Sequence, residues 1–135
     1  MQQKIWKKNN VAYDQCSWIS QIIDDVTFIK KFIVGHSMRL SMFNSFNSLE
    51  LFSVAPTRFA STIVVLKRFR SLKKGLQEMV IGDEWFSYKE NDVARAQSVK
   101  ETLLNDNWWT KVDYILAFTT PIYDALKKQI QIWLL

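Results

Sequence analysis

TRFASTIVVLKRFRSLKKGLQEM, residues 57–79, is the stretch whose reading decides the fold. Phe59, Ile63, Leu66, Phe69, Leu72, Leu76 and Met79 recur at steps of three and four, which on a helix of 3.6 residues per turn forms one apolar face. Strand-type alternation is absent from it. Pro56 holds Ala55 away from the α region, and Thr57 is a hydroxyl cap for the first free amides, so the pattern predicts a helix from Thr57 towards Gly82. The opposite side carries Lys67, Arg70 and Lys74 at i, i+3 and i+7, flanked by Arg68 and Lys73. That spacing draws a positive stripe that no acid interrupts before Glu78.

Outward from this element the same period returns. Trp18, Ile19, Ile22, Ile23 and Val26 predict a helix over about Ser17 to Asp25. Ile29, Phe32, Ile33, Leu40 and Phe43 predict a second over Phe28 to about Asn44, with Gly35 weakening its middle. Ser45, Asn47 and Ser48 favour a loop up to Pro56. Beyond Gly82 and Asp83 comes a short turn with Trp85 and Phe86, then a polar helix from about Asp92 to Leu104. Asp106 is the expected cap of a helix with Trp108, Trp109, Val112, Ile115, Leu116 and Thr119 on one face. Thr120 and Pro121 are read as the start of a last helix bearing Ile122, Leu126 and Ile130. Residues 1–15 form a polar N-terminal segment. The fold class expected is all-α.

Composition sets the remaining bounds. A hydrophobic content of 48% is too high for a disordered tail, and no uninterrupted apolar run reaches the roughly 20 residues of a bilayer span, so a globular chain without a membrane segment is expected. The single cysteine, Cys16, excludes an internal disulfide and agrees with a reducing compartment. A formal charge of +5 favours polyanions as partners, subject to where the charge sits.

Enzyme chemistry finds little to stand on. His36 is the only histidine, so neither a histidine relay nor a histidine metal site can be assembled, and it reads as a helix-face residue. Asp24 and Asp25 are adjacent and point about 100° apart on a helix, too divergent to share an ion without other ligands. Cys16 reads as an inert thiol. No glycine-rich phosphate loop and no nucleophile elbow occurs. No catalytic residue, metal ligand, cofactor or small-molecule substrate is expected. Trp108 and Trp109 could stack on bases, but indoles beside Val112 and Leu116 belong to a core.

Several short motifs resemble, in order, those of plant hAT-type transposases. The segment Pro56-Thr57-Arg58-Phe59 is similar to the family's Thr-Arg-aromatic helix start, and Gly82-Asp83-Glu84-Trp85 to its Ser-Glu-Glu-Trp turn. Ile22-Ile23-Asp24-Asp25 resembles its Leu-Glu-Asp helix, and Gly35-His36-Ser37 with Leu40 its Asn-His-Ser segment. Asn107 to Val112 resembles its Phe-Trp-x-x-Val stretch, and Pro121 to Leu126 its Pro-Leu helix. The likeness runs from Cys16 to Leu126, and residues 16–135 are taken as the hAT-like region.

The resemblance implies part of a ribonuclease-H-like transposase at the start of its helical insertion, with the family's metal-binding carboxylates lying outside this chain. A non-catalytic, nuclear protein follows. Residual DNA binding would use Arg58 and Phe59 at the motif together with Lys67, Arg70 and Lys74. The alternative is a helical protein-interaction module that uses exposed aromatics and binds no nucleic acid. Three features depart from the family pattern: Cys16-Ser17-Trp18 lacks the histidine of the family's Cys-x-x-His, the interval from Asp25 to His36 is shorter than the family's long helix, and the ending Gln129-Ile130-Gln131-Ile132-Trp133 leaves the pattern.

Overall fold

The computed structural model describes the backbone over residues 2–47, 58–87 and 93–133, and side chains over 17–47, 61–87 and 93–129. Every regular element among the described residues is a helix: α1 Gln2–Val34, α2 Ser37–Phe46, α3 Arg58–Ser71, α4 Lys73–Ile81, α5 Asp83–Ser87, α6 Val93–Leu103 and α7 Asp106–Trp133. The all-α expectation is met.

Helix ends account for most departures from the sequence reading. The two helices expected over Ser17 to Asp25 and Phe28 to Asn44 are divided elsewhere. α1 runs straight through Val26 and Phe28, because Ile22, Val26, Ile29 and Ile33 continue one buried face and nothing between them breaks helix. The break falls instead at Gly35, where an added Cβ would lie 2.7 Å from the Lys31 carbonyl oxygen. His36 is extended there, and its Nδ1 accepts the Met38 amide at 3.3 Å, so the lone histidine caps α2 and does not ride a helix face. Ser45, expected in a loop, is still helical. The cap position Thr57 and the loop over 48–56 lie outside the described residues.

The long helix expected after Pro56 is two helices. At Leu72, φ −94° and ψ 4° interrupt the α geometry, and its amide is shared between the Arg68 and Phe69 carbonyls at 3.0 and 3.1 Å. Ser71 Oγ donates to the Lys67 carbonyl at 3.0 Å, a back-bond that bends helices. Leu72 nevertheless stays buried, so α3 and α4 feed one core through Leu66, Phe69, Leu72, Leu76 and Met79.

α7 starts on a different cap from the one expected. Asn105 Oδ1 accepts the amides of Asn107 and Trp108 at 3.0 and 3.4 Å, while Asp106 occupies the first helical turn, where a carboxylate favours the positive end of the helix dipole. The boundary expected at Thr120 and Pro121 is absent. α7 continues past Pro121, so the two helices read from the sequence are one.

α7 packs against α3 and α1, while α4 packs against α2, α5 and α6. Trp18 meets Tyr114, and Asp25 meets Trp108, so α1 and α7 run antiparallel. Trp108 and Trp109 are both buried, edge to face with ring centroids 4.9 Å apart. The Trp109 indole donates to the Leu103 carbonyl at 2.7 Å, which settles the polar end of a large core side chain.

Candidate functional site

The positive stripe is the feature that the sequence puts forward, and the break at Leu72 divides it. Lys67 and Arg70 leave α3 on the side where α7 crosses, and both are half-buried. Arg70 Nε donates to Asp113 Oδ1 on α7 at 2.6 Å. Lys67 Nζ lies 4.8 Å from the centroid of the Tyr123 ring, also on α7, a distance at which an ammonium is drawn to the π face. Lys74, on α4, is exposed. Its neighbour Lys73 sits 5.7 Å above Trp109. Of the three stripe residues, two are therefore drawn to α7, and the third faces water.

Arg58 and Phe59 form the start of α3, and their side chains lie outside the described residues. The tryptophan pair offers no stacking platform, since Trp108 and Trp109 are 6% and 1% exposed. The carboxylates of Asp24 and Asp25 do not converge. Asp24 is exposed, whereas Asp25 accepts the Trp108 indole at 3.0 Å and the Gln21 amide at 2.9 Å. Among the described residues no three His, Cys, Asp or Glu side chains are grouped to hold a metal ion. No described helix is long and apolar enough to cross a membrane.

A different surface emerges on α7. Its inward side carries Trp108, Trp109, Val112, Ile115 and Thr119, all buried. A second apolar line runs beside it: Tyr114, Phe118, Ile122 and Leu126 follow at steps of four, wind from the flank of the helix back into line with Trp108 and Ile115, and are 63%, 43%, 49% and 46% exposed. Pro121 and Ala125 fill the spaces between them, and both are exposed. The charged residues of this stretch, Asp113, Asp124, Lys127 and Lys128, fall outside that line on the helical wheel. Aromatic contact extends the surface onto α1, with Trp18 to Tyr114 at 5.7 Å and Tyr114 to Phe118 at 5.8 Å.

The core formed by the described residues leaves these four apolar side chains exposed. The signal was present in the sequence. A helix boundary at Pro121 would divide this line, whereas the continuous α7 joins Tyr114 and Phe118 to Ile122 and Leu126.

Comparison with protein-family models, curated proteins and solved structures returned no match.

Proposed function

We propose that this chain is a non-catalytic helical module of hAT-transposase type, and that it acts by packing the exposed apolar line of α7 against the remaining, ribonuclease-H-like part of such a protein. The single observation that carries the proposal is the line Tyr114, Phe118, Ile122 and Leu126, large apolar side chains that stay exposed along α7. Contiguous apolar surface of this kind marks contact sites in soluble proteins, and its energy would be released only on covering it. The ordered short motifs from Cys16 to Leu126 supply the identity of the occupant, and on that resemblance the setting is nuclear.

The test is to supply a hAT-type core as a separate chain and to measure complex formation by analytical ultracentrifugation. The wild-type chain forms a complex, and the double variant Phe118→Asp, Leu126→Asp does not, while its helical circular dichroism is retained. A wild-type chain that ignores the core at high micromolar concentration overturns the proposal.

Nucleic-acid binding through Arg58, Phe59, Lys67, Arg70 and Lys74 is the second reading. The exposure of Lys74 and the net charge of +5 favour it. Its cost is that Arg70 must leave Asp113 to reach a phosphate.

A further inference from the structure

We propose that the shallow cleft between Trp18 of α1 and the first turns of α7 binds a planar aromatic acid, a ring that carries a carboxylate or a phosphate. Of the apolar line on α7 the cleft uses only Tyr114, so it stands or falls apart from the docking of that line. Its volume is about 500 Å³, and Trp18, Thr110, Lys111 and Tyr114 line it.

Two rings give it a stacking wall. Trp18 and Tyr114 meet at 5.7 Å with their planes 56° apart, a tilted contact that does not cover a whole face of either ring. Tyr114 is exposed, and Trp18 is half-buried and held in place by packing on the core. Indole and phenol each combine a π face with a polar tip. Here the tips are open. Trp108 and Trp109 donate their indole hydrogens to Asp25 and to the Leu103 carbonyl, whereas the Trp18 indole and the Tyr114 hydroxyl have no hydrogen-bond partner among the described residues.

The charge beside the rings is open too. Lys111 is exposed and forms no ion pair among the described residues. It stands three residues before Tyr114 on the same helix, within reach of a ligand laid on that ring. Thr110 adds no donor, because its hydroxyl is bonded to the Asp106 carbonyl at 3.0 Å. No described lining residue is acidic. Aromatic rings alone would also suit a cation, but the ammonium of Lys111 reverses the preferred sign. An uncharged ring leaves Lys111 without a partner, and an anion without a ring leaves Trp18 and Tyr114 uncovered. A molecule with both parts answers both. Stacking contributes more than the ion pair, which lies open to water.

The probes are naphthalene-2-carboxylate and adenosine 5′-monophosphate, titrated into the full chain at low salt and followed by amide and indole N–H chemical shifts. Both bind at one saturable site, with the largest shifts at the Trp18 indole, Thr110, Lys111 and Tyr114, and the tighter of the two identifies the preferred head. Cyclohexanecarboxylate, a charge without a π ring, and Tyr114→Ala each weaken binding about tenfold, the loss of one stacked ring. Lys111→Gln and the uncharged 2-naphthylmethanol each weaken it about threefold, the loss of an exposed ion pair. Leu126→Asp, which removes part of the α7 docking line at a distance from the cleft, leaves the affinity unchanged, so failure of the docking reading does not carry over. Cyclohexanecarboxylate binding as tightly as the naphthoate, affinity indifferent to Tyr114→Ala or to Lys111→Gln, or shifts centred away from Trp18 and Tyr114 overturns the proposal.

Discussion

Trp108 and Asp25 are 83 residues apart in the chain, yet the indole Nε1 donates to the carboxylate Oδ2 across 3.0 Å. The bond locks α7 to α1 near the start of α7, and the other carboxylate oxygen accepts from Gln21 one turn earlier at 2.9 Å. Trp108 is buried, so removing its acceptor leaves a donor with little access to water. Asp25→Ala should cost about 1 to 3 kcal/mol in urea unfolding. Asp25→Asn keeps an oxygen for the indole and should cost less than half as much. Equal losses for the two variants would show that the carboxylate charge, and not the acceptor, matters.

A second prediction reverses a helix-propensity rule. Alanine is favoured over glycine in a helix interior by about 1 kcal/mol. At Gly75, in the first turn of α4, an added Cβ would lie 2.9 Å from the Phe46 carbonyl oxygen and would collide with the Asn47 side-chain oxygen. Asn47 is held by its own Nδ2 bond to the Phe43 carbonyl at 2.9 Å, so neither neighbour yields freely. Gly75→Ala should therefore destabilise by about 1 to 3 kcal/mol, the cost of overpacking, while Lys74→Ala beside it stays within about 0.5 kcal/mol. Thermal melting of the pair of variants checks this, and a more stable Gly75→Ala protein would mean that α2 and α4 do not approach this closely.

Core membership was the most legible part of the sequence. Leu66, Phe69, Leu72, Leu76 and Met79 are buried as their spacing implies, and so are Trp108, Trp109, Val112 and Ile115. Element ends were less legible, for identifiable reasons. Leu72 interrupts a helix with neither glycine nor proline beside it, and the apolar spacing passes through the break unchanged. Pro121 looks like a helix start by local rule, but tertiary packing of α7 overrides that rule. The partners of the basic stripe were illegible, since Arg70 and Asp113 stand 43 residues apart.

Pro121 itself gives a third prediction. Proline has no amide hydrogen to donate to the carbonyl of Ala117, and its ring crowds that oxygen, which in a helix interior disfavours proline by up to about 3 kcal/mol. The residue is exposed, so replacing it removes no core contact. Pro121→Ala should raise the midpoint of thermal unfolding and slightly increase the helical circular dichroism signal. A lowered midpoint would mean that Pro121 helps to hold the course of α7 past Thr119.

The basic stripe separates the two readings of function, and the geometry changes what its removal should do. In a phosphate track each contact releases condensed counterions, so affinity falls with salt by about 0.9 logarithmic units per contact. Lys67 and Lys74 can contribute such contacts directly, whereas Arg70 must first exchange Asp113 for phosphate. That ion pair joins side chains 42% and 51% exposed, and pairs this open are worth only about 0.2 to 1 kcal/mol. If the stripe binds DNA, Gln at positions 67, 70 and 74 together should lower the magnitude of the salt slope by about 2 to 3 units. The single change Asp113→Asn should tighten binding, because it frees Arg70 and removes a negative charge from the same face. Thermal melting should shift little in either protein, given the exposure of the pair. A folded triple variant with the wild-type salt slope, together with Asp113→Asn of unchanged affinity, would discard the phosphate track and leave the apolar face of α7 as the contact surface.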